Sequence, residues 1–583
     1  MRIEREIEIR ASSAIAEALG VESAAMIRPT QNEAHGDYQV NGLLPLAKRL
    51  GKPPRELAQP VAEVLKKDAM FSAAEVAGPG FINLRLHPRW VSEQTCAMIA
   101  DRARLGVPRA EPSQRVVVDY SSPNVAKQMH VGHLRSTILG DALCRMLRFV
   151  GHEVVADNHL GDWGTQFGLL IVGMRRWGDE AALQASPIDE LERVYRLASA
   201  EAKQNETFAE EARHELAKLQ EGDANNRAIW QRFVAATRES LEGVYRRLDV
   251  HFDVWMGESA YHDMLPGVVQ ELLERGLARL DEGAVCVFFS EQDAAPAELK
   301  RLETPFIIRK KDGAYLYSTS DIATLFYRRD TWNTQRAIYV VDVRQSLHFQ
   351  QLFALAELLG LSMRLEHVGF GTILGGDGKP LKTRDGGTVT LSSLLDEAEE
   401  RARARIGEQG LEIAPEALDE AARIIGIGAV KYADLRQNRL SDYRFDWDKM
   451  ISFQGNAGPY LQYAYARLSS IFRKGEIDVE ALWTGASQQG SFELEDHAET
   501  QALAKHLLRF ADLLHQATES LQPHLVCDHL YQLARLFSAF YEACPILKAE
   551  GGLRHSRLSL AALAGAQLRL GLSLLGIGVV ERM

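Results

Sequence analysis

One stretch constrains the fold more than any other: residues 115–140, RVVVDYSSPNVAKQMHVGHLRSTILG. Arg115–Tyr120 carries three consecutive valines closed by an aspartate and reads as a short buried strand. Ser121–Asn124 breaks it, because Pro123 cannot donate to a ladder and Asn124 favours a turn. From Gly132 the pattern turns helical, with Leu134, Ile138, Leu139 and Leu143 on or near one face. A turn from strand to helix presents backbone N–H groups and the positive helix end to an anion. His130 and His133 flank Gly132 there, and a glycine lets a flat ring approach the backbone. Read alone, the two imidazoles fit two descriptions: a helix cap plus a satisfied core histidine, or donors aimed at a phosphate. Structural zinc is disfavoured, since it wants four ligands and no Cys or His cluster lies nearby.

The 583 residues suggest roughly three or four domains. With 46% hydrophobic and 25% charged residues the composition is that of a soluble globular protein. The charged start MRIEREIEIR shows no secretory signal. The most apolar late run, SLAALAGAQLRLGLSLLGIGVV, is interrupted by Arg569 and glycines and reads as core rather than membrane. Cys96, Cys144, Cys286, Cys527 and Cys544 are scattered and free of C-x-x-C spacing, so a reduced, cytoplasmic setting is expected. A net charge of −12 argues against non-specific nucleic-acid binding, while leaving room for local basic faces.

Residues 1–110 form a separate unit by pattern, mildly basic with 15 Lys and Arg against 13 Asp and Glu. It contains HGDYQVN (His35–Asn41), a helical run punctuated by Pro53 and Pro54, and a strand-like GFINLRL (Gly80–Leu86), which together predict a small α+β domain. Ala103–Gln114 reads as its linker. Residues 111–400 alternate strands and helices: VVVDY, EVVADNHL, VCVFF, PFIIRK, AIYVVD and HVGFGTIL. That rhythm predicts a doubly wound parallel sheet with its site at the carboxyl ends of the strands. Neither G-x-x-x-x-G-K-[ST] nor G-x-G-x-x-G follows the first strand, which disfavours a P-loop kinase and an ordinary dehydrogenase. Within it, residues of about 190–250 read as a charged, solvated helical hairpin. Residues 401–583 are helical throughout. Their aromatics, in GNAGPYLQYAYARLSSIFRK and CDHLYQLARLFSAFYEACPIL, are expected mainly to pack, with direct base stacking the alternative.

His130-Val131-Gly132-His133 resembles the HIGH signature of class I aminoacyl-tRNA synthetases, and SSPNVAKQMHVGHLRST resembles its arginyl version. GDYQ, GPGFINLRL, GDWGTQFG, the late helices and the closing GIGVVERM are similar to arginyl-tRNA synthetases as well. The resemblance implies a Rossmann-like catalytic domain, an N-terminal additional domain touching the corner of the tRNA, and an all-α anticodon-binding domain. It further implies a monomer that uses ATP with Mg2+, L-arginine and tRNA(Arg) and needs tRNA for activation; the residues themselves suggest no metal site.

Forming an aminoacyl-adenylate asks for alignment and for positive charge where phosphate charge accumulates. By resemblance, His130, Gly132 and His133 bind ATP, with Lys127 adding a cation and His348 lying near the nucleotide. The second phosphate element is GTILGGDGKPLKTRDGG, with Lys379, Lys382 and Arg384. Class I enzymes carry KMSK there; here Pro380 replaces the first lysine and Thr383 the second. A lysine ahead of the histidines compensates for such loss in arginyl enzymes, which supports Lys127. A solvent-exposed turn with scattered charge is the plain alternative. Choosing arginine requires carboxylates that grip a planar guanidinium. In YSTSDIA the resemblance gives Asp321 that grip and packs Tyr317 on it, with Glu258 in GESAYHD as second acid; from sequence alone Asp321 reads more readily as an acid favoured by a helix N-terminus. Ser122, Asn124 and His133 match positions holding the α-amino and carboxylate groups, and Gln345 matches a further arginine contact.

Overall fold

The computed structural model describes residues 2–30, 35–382, 389–409, 411, 413–489 and 492–583, the side chains of 485–489 excepted. Thr383 and Arg384 lie outside the described residues. Two units are distinguished: Met1–Ala110 with Arg405–Gly428 and Ser452–Met583, and Glu111–Ala404 with Ala429–Ile451.

In the first unit Pro53 is extended and Pro54 opens helix Pro54–Leu65, so the two prolines separate it from helix Leu43–Leu50. Helices Ile3–Leu19 and Pro54–Leu65 pack beside an antiparallel sheet ordered Ile27–Pro29, Tyr38–Val40, Phe81–Leu86, Phe71–Ala77. The same unit holds the helices Gly458–Lys474, Ala498–Leu508, Phe510–Glu519, His524–Ala543 and Gly551–Leu574. The apolar run lies in the last of these, where a Cβ on Gly571 would come within 2.5 Å of Leu530. It is core. No helix among the described residues is long and apolar enough to cross a membrane. Leu461, Leu468, Leu530, Leu533 and Phe537 are buried, as the helical spacing predicts. Tyr463 and Tyr541 stay on the surface, each 37% exposed, and the Arg467 guanidinium lies 4.7 Å over the Tyr541 ring.

The second unit is built on β1 (Arg115–Asp119), α1 (Val131–Val150), β2 (Glu153–Asp157), α2 (Tyr317–Asp330), β3 (Arg336–Tyr339), α3 (Ser346–Leu358) and β4 (Arg364–His367). Its sheet is parallel in the order β4-β3-β1-β2. Val116, Val117 and Val118 are fully buried, as expected for a central strand covered on both faces. The register sets Asp157, Asp119, Tyr339 and His367 in one row at the carboxyl ends, the edge where such sheets bind ligands.

Three sequence expectations change. HVGFGTIL gives the parallel sheet only His367, the end of β4, while its Ile373–Leu374 pairs with Tyr443–Arg444. VCVFF and PFIIRK contribute not to the parallel sheet but to a three-stranded antiparallel one, Arg279–Asp281, Ala284–Val287 and Phe306–Arg309. Between its first two strands stand Glu282 and Gly283, both with positive φ (47° and 88°), a two-residue turn that forces a hairpin and leaves no room for a crossover. The charged insertion is three helices rather than a hairpin: Pro187–Gln204, Glu206–Glu221 and Ala224–Arg247. Asn205 caps the second through the Phe208 N–H, and Asp223 caps the third through the Asn225 and Asn226 N–H groups.

Candidate active site

The loop from β1 to α1 is held in costly backbone. Ser121, Ser122 and Ala126 all have positive φ (69°, 45° and 65°), a conformation that persists only where the surroundings impose it. Those surroundings are hydrogen bonds. The Ser121 N–H donates to Ser136 Oγ, its hydroxyl meets Thr137 and Tyr245, the Ser122 N–H donates to Asn158 Oδ1, and the Ser122 hydroxyl donates to Asp119 Oδ1 at 2.9 Å. Asn124 is exposed, and its Oδ1 occupies the space beside Gly161, where a Cβ would approach to 2.2 Å.

At the head of α1 the cap reading and the donor reading of the histidines prove compatible. The Gly132 N–H donates to His130 Nδ1 at 3.0 Å, and the His130 N–H donates to His133 Nδ1 at 3.2 Å. A ring nitrogen that accepts carries no proton, so each neutral ring keeps its proton on Nε2. The rings lie 4.1 Å apart. Burial lowers the pKa of His130, with the Lys127 charge adding to it; burial, then His130 and Lys127, lowers His133 to about 4. Near neutral pH both are uncharged N–H donors. Lys127 is exposed, its ammonium 5.5 Å over the Tyr195 ring of the insertion.

GDWGTQFG, to which the sequence gives no role, ties the wall together. The Val125 N–H donates to the Gly161 carbonyl, and the Gly161 N–H to that of Pro123. Asp162 accepts both the N–H (2.8 Å) and the hydroxyl (2.6 Å) of Ser259, and the Trp163 indole donates to His262 Nδ1 at 3.0 Å. The Glu258 N–H donates to the Leu160 carbonyl. Thus the turn fixes the segment carrying Glu258. Burial pushes the Glu258 carboxyl up to about 7, His159 opposing and Asp321 and Asp162 reinforcing the rise.

On α2 and α3, Asp321 and His348 meet: His348 Nε2 lies 2.6 Å from Asp321 Oδ2. Tyr317, 63% exposed, sets its ring edge 5.0 Å from His348. Gln345 is exposed at the start of α3. The second glycine-rich element closes as a tight turn, with the Gly375 N–H on the Lys379 carbonyl, the Gly378 N–H on that of Gly375, and Gly378 at φ 74°. Lys379 and Lys382 are both exposed.

Two buried arginines escape a reading by motif. Arg328 on α2 donates from one Nη2 to Asp119 and Asp157, 2.6 Å to each, and is fully buried. Asp119, Asp157 and His159 also lie close enough to hold a cation, but the guanidinium already sits on both carboxylates and supplies the positive charge. Arg135 on α1 pairs with Asp434 at 2.8 Å. The available signal was an aspartate ending each of two strands.

The model for class I tRNA synthetases (R), catalytic domain, matches residues 95–447; those for the arginyl tRNA synthetase N terminal domain and the DALR anticodon binding domain match 5–86 and 461–583. The chain belongs to the arginyl-tRNA synthetase family. The family's catalytic model spans every candidate residue named above, from Ser122 to Lys382. Curated arginine–tRNA ligases are similar over nearly the whole length: that of Chromobacterium violaceum is 46% identical across 100% of both chains, and that of Escherichia coli O157:H7 48% identical across 96% of this chain and 95% of its own. Among solved structures, the arginyl-tRNA synthetase of Thermus thermophilus covers 100% of both chains with a TM-score of 0.81 at 27% identity. That of Plasmodium falciparum covers 100% and 99% with a TM-score of 0.83 at 26% identity. As a class I arginyl-tRNA synthetase family member, the chain is a ligase.

Proposed function

We propose that this chain activates L-arginine with ATP to arginyl-adenylate, releasing diphosphate, and then transfers the arginine to the 2′-hydroxyl of the terminal adenosine of tRNA(Arg), releasing AMP. One observation carries the chemistry: two uncharged imidazoles pinned through Nδ1 at a helix start, each with Nε2–H left to donate. The arginine carboxylate attacks the α-phosphorus in line with the departing diphosphate. His130 and His133 donate to phosphate oxygens as charge builds there, and Lys127, Lys379 and Lys382 supply cations. Gly132 admits the nucleotide ring, with His348 near the nucleotide. Ser122, Asn124 and His133 hold the α-amino and carboxylate groups; Asp321 and Glu258 grip the guanidinium, with Tyr317 and Gln345 against it. Magnesium accompanies ATP as the counter-ion of its phosphates. The groups at the histidines are N–H donors and ammoniums rather than carboxylates, so no protein ligand is assigned to it. Residues 1–110 take the corner of the tRNA and residues 401–583 its anticodon, where exposed Tyr463 and Tyr541, the latter under the Arg467 guanidinium, offer stacking faces. The chain acts as a cytoplasmic monomer.

Charging total tRNA with labelled arginine, lysine and citrulline, by wild type and Asp321→Ala, tests this. Only arginine is expected to be attached, and the variant is expected to lose about 100-fold or more in kcat/KM, as for a lost charge-assisted pair. An unimpaired variant removes Asp321 from the specificity pocket. Tight tRNA binding without any charging would make the chain a tRNA-binding protein.

A further inference from the structure

The glycine-rich phosphate loop has two ends, and α1 holds both. Beyond the loop, the Val131 N–H donates to the Val389 carbonyl at 3.0 Å, the Leu391 N–H donates to that of Met129 at 2.9 Å, and His130 bridges Thr390. Ahead of it stands Gly371, whose carbonyl accepts from Arg135 Nη1 at 2.9 Å. The same Nη1 donates to the Ser441 carbonyl at 3.1 Å, and Nε donates to Asp434 at 2.8 Å. Arg135 is 1% exposed, with its guanidinium 5.3 Å from the Tyr443 ring and 5.9 Å from that of Phe370.

Gly371 has no room to drift. A Cβ there would come within 2.5 Å of Asp442 Oδ1 and 2.9 Å of Asp442 N. Its N–H donates to the Arg439 carbonyl, the Thr372 N–H donates to Asp442 Oδ1 at 2.6 Å, and Ile373–Leu374 pairs in parallel with Tyr443–Arg444. The two anchors on α1, at residues 130 and 135, stand about 7 Å apart along one rigid helix. The backbone at both ends of the loop is therefore tied to the helix that carries the histidines.

We propose that Arg135 is a positioning residue for adenylate formation: its guanidinium fixes the entry of the phosphate loop against the helix that carries His130 and His133. The assignment rests on the reading of those histidines and of Lys379 and Lys382 given above. A buried ion pair contributes little net stability compared with an apolar pair of the same volume, so stability alone is a poor account of Arg135. Lysine has a single ammonium on a flexible stem and cannot span a carboxylate and two carbonyls as a planar guanidinium does.

The test is ATP–diphosphate exchange, with tRNA(Arg) present, for wild type, Arg135→Lys and the charge-free pair Arg135→Met/Asp434→Leu. Both variants are expected to exchange about 10- to 100-fold more slowly or with KM for ATP raised to that extent, the cost of roughly 1 Å of misplacement, while KM for arginine stays within about twofold. Melting by circular dichroism reports the fold separately. Should the double variant not fold, Arg135→Lys, which keeps the charge facing Asp434, carries the test alone. Wild-type exchange in a folded variant overturns the proposal. So does an equal loss for ATP and arginine that follows the loss of stability. Wild type failing to exchange with any amino acid would instead strike the adenylation reading itself.

Discussion

Asp119 and Asp157 share the guanidinium of Arg328, whereas Glu258 and Asp321, in the same unit, have neither arginine nor lysine paired with them among the described residues. The first pair closes two adjacent strands of the sheet, is buried, and has its cation built in. The second stands partly open: Asp321 has only the His348 ring, and Glu258 is held by its backbone N–H on the Leu160 carbonyl. Burying a carboxylate without a cation is costly, so the Glu258 carboxyl bears a penalty that an incoming cation can remove. The contrast fits an enzyme that supplies its own guanidinium where it needs rigidity and leaves the other place for the substrate's.

The largest effect is expected where the built-in cation is removed. Arg328→Met leaves two buried carboxylates facing each other and is expected to cost about 5 kcal/mol of unfolding free energy by urea titration, the upper range for breaking a buried pair. A loss under about 1 kcal/mol would break the comparison, since the guanidinium would then not be what holds these acids.

Next comes the unpaired acid. The folded pKa of Glu258 is raised to about 7 from the ordinary 4.5, so the native state holds its proton more tightly than the unfolded chain does. Stability is therefore present at low pH and is lost as pH rises from the unfolded value through the folded one. Glu258→Gln, neutral at every pH, is expected to be more stable than wild type by about 2–3 kcal/mol at pH 8, with the difference shrinking toward zero near pH 4. The same variant is expected to need more arginine for half-maximal charging. Equal melting curves at pH 8 would mean that Glu258 is solvated or paired after all.

Much of the sheet unit was legible because its signals are local. Val116–Val118 could be read as a covered strand and Gly132–Leu143 as a helix, since periodicity and turn residues operate over a few positions. The histidine cap was legible as one of two readings, and the hydrogen bonds on both Nδ1 atoms bear it out. What stayed hidden is contact across long separations. Arg328 reaches Asp119 over 209 positions and Asp157 over 171, and Arg135 reaches Gly371 over 236, distances at which no spacing rule applies. The hairpin at Glu282-Gly283 was misplaced for a different reason: a short apolar run looks the same in a parallel and an antiparallel sheet, and only the turn distinguishes them. The division of the insertion into three helices turns on single cap residues, Asn205 and Asp223, within a uniformly charged run.

If Glu258 grips the guanidinium as proposed, its carboxyl also sets the heat of binding. Near pH 7 about half the molecules carry its proton, and a guanidinium seated on the ionised form expels it, about half a proton per arginine bound. Arginine uptake would then be coupled to the solvent's acid–base balance: the calorimetric enthalpy of binding is expected to change with the ionisation enthalpy of the buffer, and the proposed pocket, although its ligand is permanently charged, would behave as a weak acid.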